Sequence, residues 1–171
     1  MADQWKPQLE QLIEEHQSMV FSLALRMTGD RGLAEEITQD VFLEMDRNLG
    51  RIESAEHACF WLRRVTMSRS MDARRRRKVR GLDLWVEMEP AHEVSAENGA
   101  VSRLGSRLEG LLTALPGAQR ATILLRYQED MTPTEIADAL EMPVATVKSQ
   151  LQRGLKLLRA KAEGTLREFI R

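Results

Sequence analysis

This sequence predicts an all-α fold made of two small helical domains joined by a flexible acidic linker, and three observations carry that expectation. Leu, Ala, Glu and Arg are abundant while runs of β-branched residues are absent, so helix is the default local structure. At 171 residues, with 43% apolar but only 5% aromatic side chains, the chain can build one ordinary core or two small ones. Between two helical patterns lies a stretch, residues 82–102, with Pro90, Gly99, five carboxylates, no cation and no periodic apolar stripe. The expected organisation is a first unit over 1–81, a linker over 82–102 and a second unit over 103–171.

From Trp5 to Met27 the positions Leu9, Leu12, Ile13, His16, Val20, Leu23, Ala24 and Met27 follow the 3.6-residue period of one long amphipathic helix, which Thr28-Gly29-Asp30 ends. His16 falls on the apolar stripe, where a packed histidine is expected rather than a ligand. Leu33, Ile37, Val41, Met45 and Leu49 then recur every four residues, and the opposite face of that second helix carries Glu35, Glu36, Gln39, Asp40 and Glu44. Such a face fits an ordinary solvated surface as well as a docking one. After a loop over 50–56, Ser54 is placed to cap a third helix from about Ala55, with Ala58, Trp61, Leu62 and Val65 inward. The spacing of Trp61 with Leu62 and Val65 marks it as a core anchor more than a stacking platform for bases.

The rest of that helix is cationic: Arg63, Arg64, Arg69, Arg74, Arg75, Arg76, Arg77, Lys78 and Arg80. Clustered guanidiniums of this density release counterions from a phosphate backbone, so the run reads as a nucleic-acid footprint against the alternative of a solvated tail.

In the second unit Val101, Leu104, Leu108, Leu111, Leu112 and Leu115 form an amphipathic helix stopped by Pro116-Gly117, and a short helix from Ala118 to Tyr127 follows. Gln128-Glu129-Asp130 turns the chain. Thr132, Pro133 and Glu135 then supply an N-cap hydroxyl, a proline at the first helical position and the carboxylate of a capping box. Ile136, Ala137 and Leu140 make one apolar face, Glu141-Met142-Pro143 stops the helix, and Val144, Val147, Leu151, Leu155 and Leu158 begin another. The outward side of this last helix holds Lys148, Ser149, Gln152, Arg153, Lys156 and Arg159. Two helices joined by so short a turn are the helix-turn-helix arrangement, whose second helix enters the DNA major groove. A helical hairpin with a merely solvated outer face has the same charge pattern.

Charge and composition narrow the function. The net charge of -1 conceals segregation: residues 1–50 sum to minus six, 51–81 to plus seven, 82–102 to minus five and 103–171 to plus three. Two basic zones separated by acidic ones can bind a polyanion locally while acidic surfaces dock something else. A lone Cys59 excludes an internal disulfide, and His16, His57 and His92 have no metal-ligand spacing. No metal, cofactor or catalytic residue is expected: no nucleophile–base pair or phosphate-binding glycine loop is present. Without an apolar run of eighteen residues or a leader pattern at Met1, the chain is expected to be cytoplasmic, with no membrane insertion.

Several stretches match a known family. Leu115-Pro116, Glu135-Ile136-Ala137 and Pro143-Val144-Ala145-Thr146-Val147-Lys148-Ser149 through Arg153 resemble region four of sigma-70 family RNA polymerase sigma factors, in particular the small extracytoplasmic-function (ECF) group. Residues 33–42, Leu-Ala-Glu-Glu-Ile-Thr-Gln-Asp-Val-Phe, resemble sigma region two where it docks on the β′ clamp coiled coil. Phe60-Trp61-Leu62-Arg63-Arg64-Val65 is similar to the stretch that reads and opens the minus-ten element.

The resemblance implies a dissociable initiation factor that binds core RNA polymerase, through the β′ clamp coiled coil and the β flap, and directs it to promoter DNA. It implies polymerase contacts at Glu36, Gln39, Asp40 and Glu44. It implies DNA contacts at Arg63, Arg64, Arg69 and Arg74 to Arg77, and at Lys148, Ser149, Gln152, Arg153 and Lys156. Arg153 is then the candidate for bidentate reading of guanine. An anti-sigma partner is implied as well, and a linker that follows the RNA exit path.

The chain departs from the family at four places. Asp40 stands where Glu is common, and Arg51-Ile52-Glu53-Ser54-Ala55-Glu56 replaces Arg-Phe-Arg-Gly-x-Ser in the loop that captures a flipped base. Gln150 stands in place of arginine, and Glu141 in place of a turn glycine that a left-handed backbone would favour. The alternative function is a stand-alone helix-turn-helix regulator that does not dock on polymerase, for which residues 131–159 would suffice.

Overall fold

The computed structural model describes residues 8–81 and 107–169, with side chains through 164, and among these every regular element is helical. The linker expected over 82–102, and the helical turns expected at Trp5 and at Val101 and Leu104, lie outside the described residues. The chain divides into two compact units, Met1–Ala73 and Arg74–Arg171.

The first unit is built from α1 (Leu9–Thr28), α2 (Arg31–Asn48) and the greater part of α3 (Ala55–Val79). α1 ends because Gly29 takes a left-handed conformation, φ 69°, and its amide donates to the Leu25 carbonyl at 2.7 Å. One residue later Asp30 opens α2, its carboxylate accepting from the Leu33 amide at 2.8 Å. The turn between the two helices is therefore only two residues long, which forces them to pack antiparallel. A single 3-10 turn, Leu49–Arg51, leads to α3. There Ser54 accepts from the His57 amide at 3.0 Å, while His57 Nδ1 accepts from the Glu53 amide at 3.3 Å. His57 thus makes a return bond resembling that of a capping box, but to the amide of Glu53, the residue before the cap.

The core of this unit is Leu12, Val20, Ala24, Ala34, Ile37, Val41, Phe42, Met45, Ile52, Ala58 and Leu62, with Trp61 and Val65 packed on its margin. Each fully buried aliphatic side chain contributes about 1.5–3 kcal/mol, so these three faces hold the unit together. Trp61 is in the position its spacing predicts. His16 is half-buried on α1, and burial pushes its imidazole below the ordinary 6.5, with Glu15 opposing that shift and Arg63 adding to it.

Within the second unit, the described part of α4 covers residues 107–113, of which Leu112 is buried and Leu108 is exposed. α5 (Gly117–Ile123) runs directly into a wider π turn, Leu124–Gln128. The expected helix over 118–127 is therefore one continuous rod that loosens in its last turn. The Glu129 amide bonds to the Leu124 carbonyl at 3.3 Å, and Asp130 turns left-handed at φ 52° to deliver Met131 into the core. α6 (Pro133–Leu140) and α7 (Val144–Phe169) complete the unit. Arg120, at 2% exposure, is a buried cation; its Nη2 donates to the carbonyls of Thr113 and Leu115, tying down the end of α4 and the turn after it.

Candidate nucleic-acid and polymerase interfaces

The α6–α7 pair has the geometry its sequence dictates. The Thr132 amide donates to Glu135 Oε2 at 2.7 Å and the Glu135 amide to Thr132 Oγ1 at 3.3 Å, a complete capping box with Pro133 at the first helical position. Ile136, Ala137 and Ala139 are buried. At the other end Glu141 adopts φ 54°, ψ 46°, and the Met142 amide reaches back to the Ala137 carbonyl at 3.0 Å. A glycine adopts that conformation without strain, whereas a side chain there costs on the order of 1 kcal/mol. Glu141→Gly is accordingly expected to stabilise the protein by about 1 kcal/mol in urea denaturation. A neutral or destabilising result would mean that contacts of the glutamate outweigh its backbone strain.

Along α7, Val147 and Gly154 are buried, and Val144, Leu151, Leu155 and Leu158 are half-buried. Gly154 is the point of closest approach to α5: a Cβ added there would sit 2.6 Å from Ile123 Cδ1 and 3.4 Å from Gln119 Cβ. Glycine inside a helix costs about 1 kcal/mol in propensity. Here a side chain would require Ile123 to shift its terminal methyl, with the Gln119 Cβ also in contact. Along α7, Lys148, Gln152, Arg153, Lys156 and Arg159 are exposed, with Ser149 and Gln150 partly covered. Every α7 residue assigned to DNA therefore lies within about two and a half turns of one helix. No acidic residue occupies the first turn of α7, so its positive end is not neutralised locally.

The cationic residues of α3 are spread more widely. Arg64, Arg75 and Arg76 are exposed, while Arg63, Arg69, Arg74 and Arg77 are partly buried, and the set from 63 to 77 extends about 21 Å along the helix. In the loop before α3, Ile52 is buried at 6% exposure and packs in the core.

On α2, Glu36 and Gln39 are exposed and Asp40 and Glu44 are half-buried. The last two are joined by a residue from another helix: Arg69 Nε donates to Glu44 Oε2 at 3.0 Å and Arg69 Nη1 to Asp40 Oδ2 at 3.4 Å. Arg69, grouped by sequence with the DNA-facing cations, therefore sits with the carboxylates assigned to polymerase. Sequence reading also missed Leu43, 57% exposed one turn from Gln39 and Asp40 on the same outward face. Its absence from the four-residue series Leu33, Ile37, Val41, Met45 was the available signal.

Comparison with known proteins places both units. The model for Sigma-70 region 2 matches residues 12–80, and that for Sigma-70, region 4 matches residues 106–158. ECF RNA polymerase sigma factor SigK of Mycobacterium bovis is 32% identical over 150 residues, which cover 83% of this chain and 79% of that protein. SigE of Mycolicibacterium smegmatis, also an ECF RNA polymerase sigma factor, is 31% identical over 159 residues, covering 90% of this chain and 61% of its own length. Among solved structures, the sigma factor RpoE of Bartonella quintana, crystallised with the anti-sigma factor NepR, has the same fold, with a TM-score of 0.69 at 19% identity over 90% of this chain and 96% of that one. With region 2 followed by region 4, and with relatives at this level of identity along most of its length, the chain belongs to the ECF sigma factors of the sigma-70 family.

Proposed function

We propose that the chain is a transcription initiation factor: a dissociable sigma subunit that binds core RNA polymerase and directs it to specific promoters through the minus-ten and minus-thirty-five elements. The observation that carries this reading is the presence, in one chain, of an exposed cationic face on a helix-turn-helix and an acidic face on α2. A stand-alone regulator needs only the first.

In this reading residues 1–81 dock on the β′ clamp coiled coil through Glu36, Gln39, Asp40 and Glu44. The basic side of α3, carrying Arg63, Arg64 and Arg74 to Arg77, meets the minus-ten DNA. Residues 103–171 approach the β flap and place α7 in the major groove, where Lys148, Ser149, Gln152 and Lys156 hold backbone or base edges and Arg153 reads guanine. Each unit alone binds promoter DNA weakly, and polymerase fixes their separation, so that the first contact raises the effective concentration of the second. Catalysis of RNA synthesis belongs to the polymerase; the chain contributes recognition and no reacting group.

The complex of RpoE with an anti-sigma factor supports an equivalent partner here, in this reading one that covers both DNA-binding surfaces. No helix among the described residues is long and apolar enough to cross a membrane, which fits a cytoplasmic site of action. Reconstitution with purified core polymerase tests the proposal: transcription must begin at sequence-defined positions only when the chain is added.

A further inference from the structure

We propose that Arg69 is a positioning residue for the polymerase-docking face, locking the Asp40 and Glu44 carboxylates into one arrangement before the partner arrives. The inference rests on the functional reading above. Its geometry is specific. Asp40 and Glu44 are four residues apart on α2, so their like charges lie one above the other and repel. From α3, the Arg69 guanidinium spans both: Nε and Nη2 converge on Glu44 Oε2 at 3.0 and 2.5 Å, and Nη1 reaches Asp40 Oδ2 at 3.4 Å. The planar, five-donor fork of arginine suits this bridge, and an ammonium would reproduce it only in part.

Three consequences follow from the atoms used. Asp40 Oδ1 and Glu44 Oε1 accept no hydrogen bond from the described residues, so each carboxylate keeps one oxygen for a cation on the partner. The two carboxylates and one guanidinium leave a net charge of minus one, which remains attractive to a basic surface. The side chains of Asp40 and Glu44, at 48% and 35% exposure, are also held still while solvent-accessible, so less rotamer freedom is lost on docking. Arg69 belongs, on this account, to the docking machinery of α2, although it lies on the helix that carries the DNA-facing cations.

The test is the affinity of the full chain for purified core RNA polymerase, measured for Arg69→Gln, Arg69→Lys, Glu44→Gln and the double variant Arg69→Gln/Glu44→Gln, with thermal unfolding recorded for each. Arg69→Gln is expected to weaken binding about tenfold, and Arg69→Lys, which restores the charge without the fork, to recover part of that loss. In the Glu44→Gln background, Arg69→Gln should cost less than about threefold, because the charge-assisted pair with residue 44 is already lost and only the longer contact to Asp40 remains. Additive effects, or core affinity within about twofold of wild type for Arg69→Gln, overturn the inference. If Arg69→Gln fails to fold, the comparison of Arg69→Lys with and without Glu44→Gln reads the same coupling. Asp40→Asn separates the two levels: weakened binding there with an unaffected Arg69→Gln defeats only the positioning role, whereas a wild-type chain that does not bind core polymerase defeats the functional reading itself.

Discussion

Arg120→Ala is expected to lower the unfolding free energy by about 3 kcal/mol. The guanidinium is buried and donates to the carbonyls of Thr113 and Leu115, at the point where α4 ends and the chain turns into α5. Hydrogen bonds from a charged donor contribute about 1.5–3 kcal/mol each, and truncation also removes the packing of the aliphatic stem. Arg120→Met keeps the stem and loses only the bonds, so it should cost roughly half as much. Urea denaturation of both variants measures this. An alanine variant within about 1 kcal/mol of wild type would show that α4 is held by Leu112 and Leu115 rather than by the arginine.

The second large effect concerns base reading by α7. Arg153→Ala is expected to reduce discrimination between a matched and a scrambled minus-thirty-five sequence by about 1–3 kcal/mol, up to roughly a hundredfold, because a bidentate contact to one base is lost. Lys156→Ala, on the same exposed face, should weaken binding to both sequences alike and reduce the salt dependence by about one charge. Competition binding of holoenzyme at two salt concentrations separates the two. Equal losses on matched and scrambled DNA for Arg153→Ala would reassign that residue to the phosphate backbone.

What was legible in the sequence was local. Thr132-Pro133-x-Glu135 states its capping box in four residues, and Ser54 states the start of α3, because those bonds close within one turn. At Glu141, where the resemblance places a glycine, either a left-handed backbone or a slightly different turn was open, and the structure has the left-handed one. The helical periods located the core face of α1 and α2 for the same reason.

What escaped was tertiary. Arg69 reads as one more cation in a basic run, and its carboxylate partners lie 25 and 29 residues away in the chain. The burial of Arg120 and the Ile123 methyl against Gly154 carry no sequence mark, because both depend on neighbouring helices. The π turn at Leu124–Gln128 has no mark in its residue types. Charge counts located the faces, but which partner each face meets is set by surfaces outside this chain.

The most direct measurement is in vitro transcription by purified core RNA polymerase from a randomised promoter library, with and without this chain, followed by sequencing of the transcript ends. The account predicts start sites that appear only when the chain is present and that share two sequence elements at a fixed separation, the upstream one weakened by Arg153→Ala. Start sites unchanged by the chain, or a single upstream element bound equally well without polymerase, would contradict it.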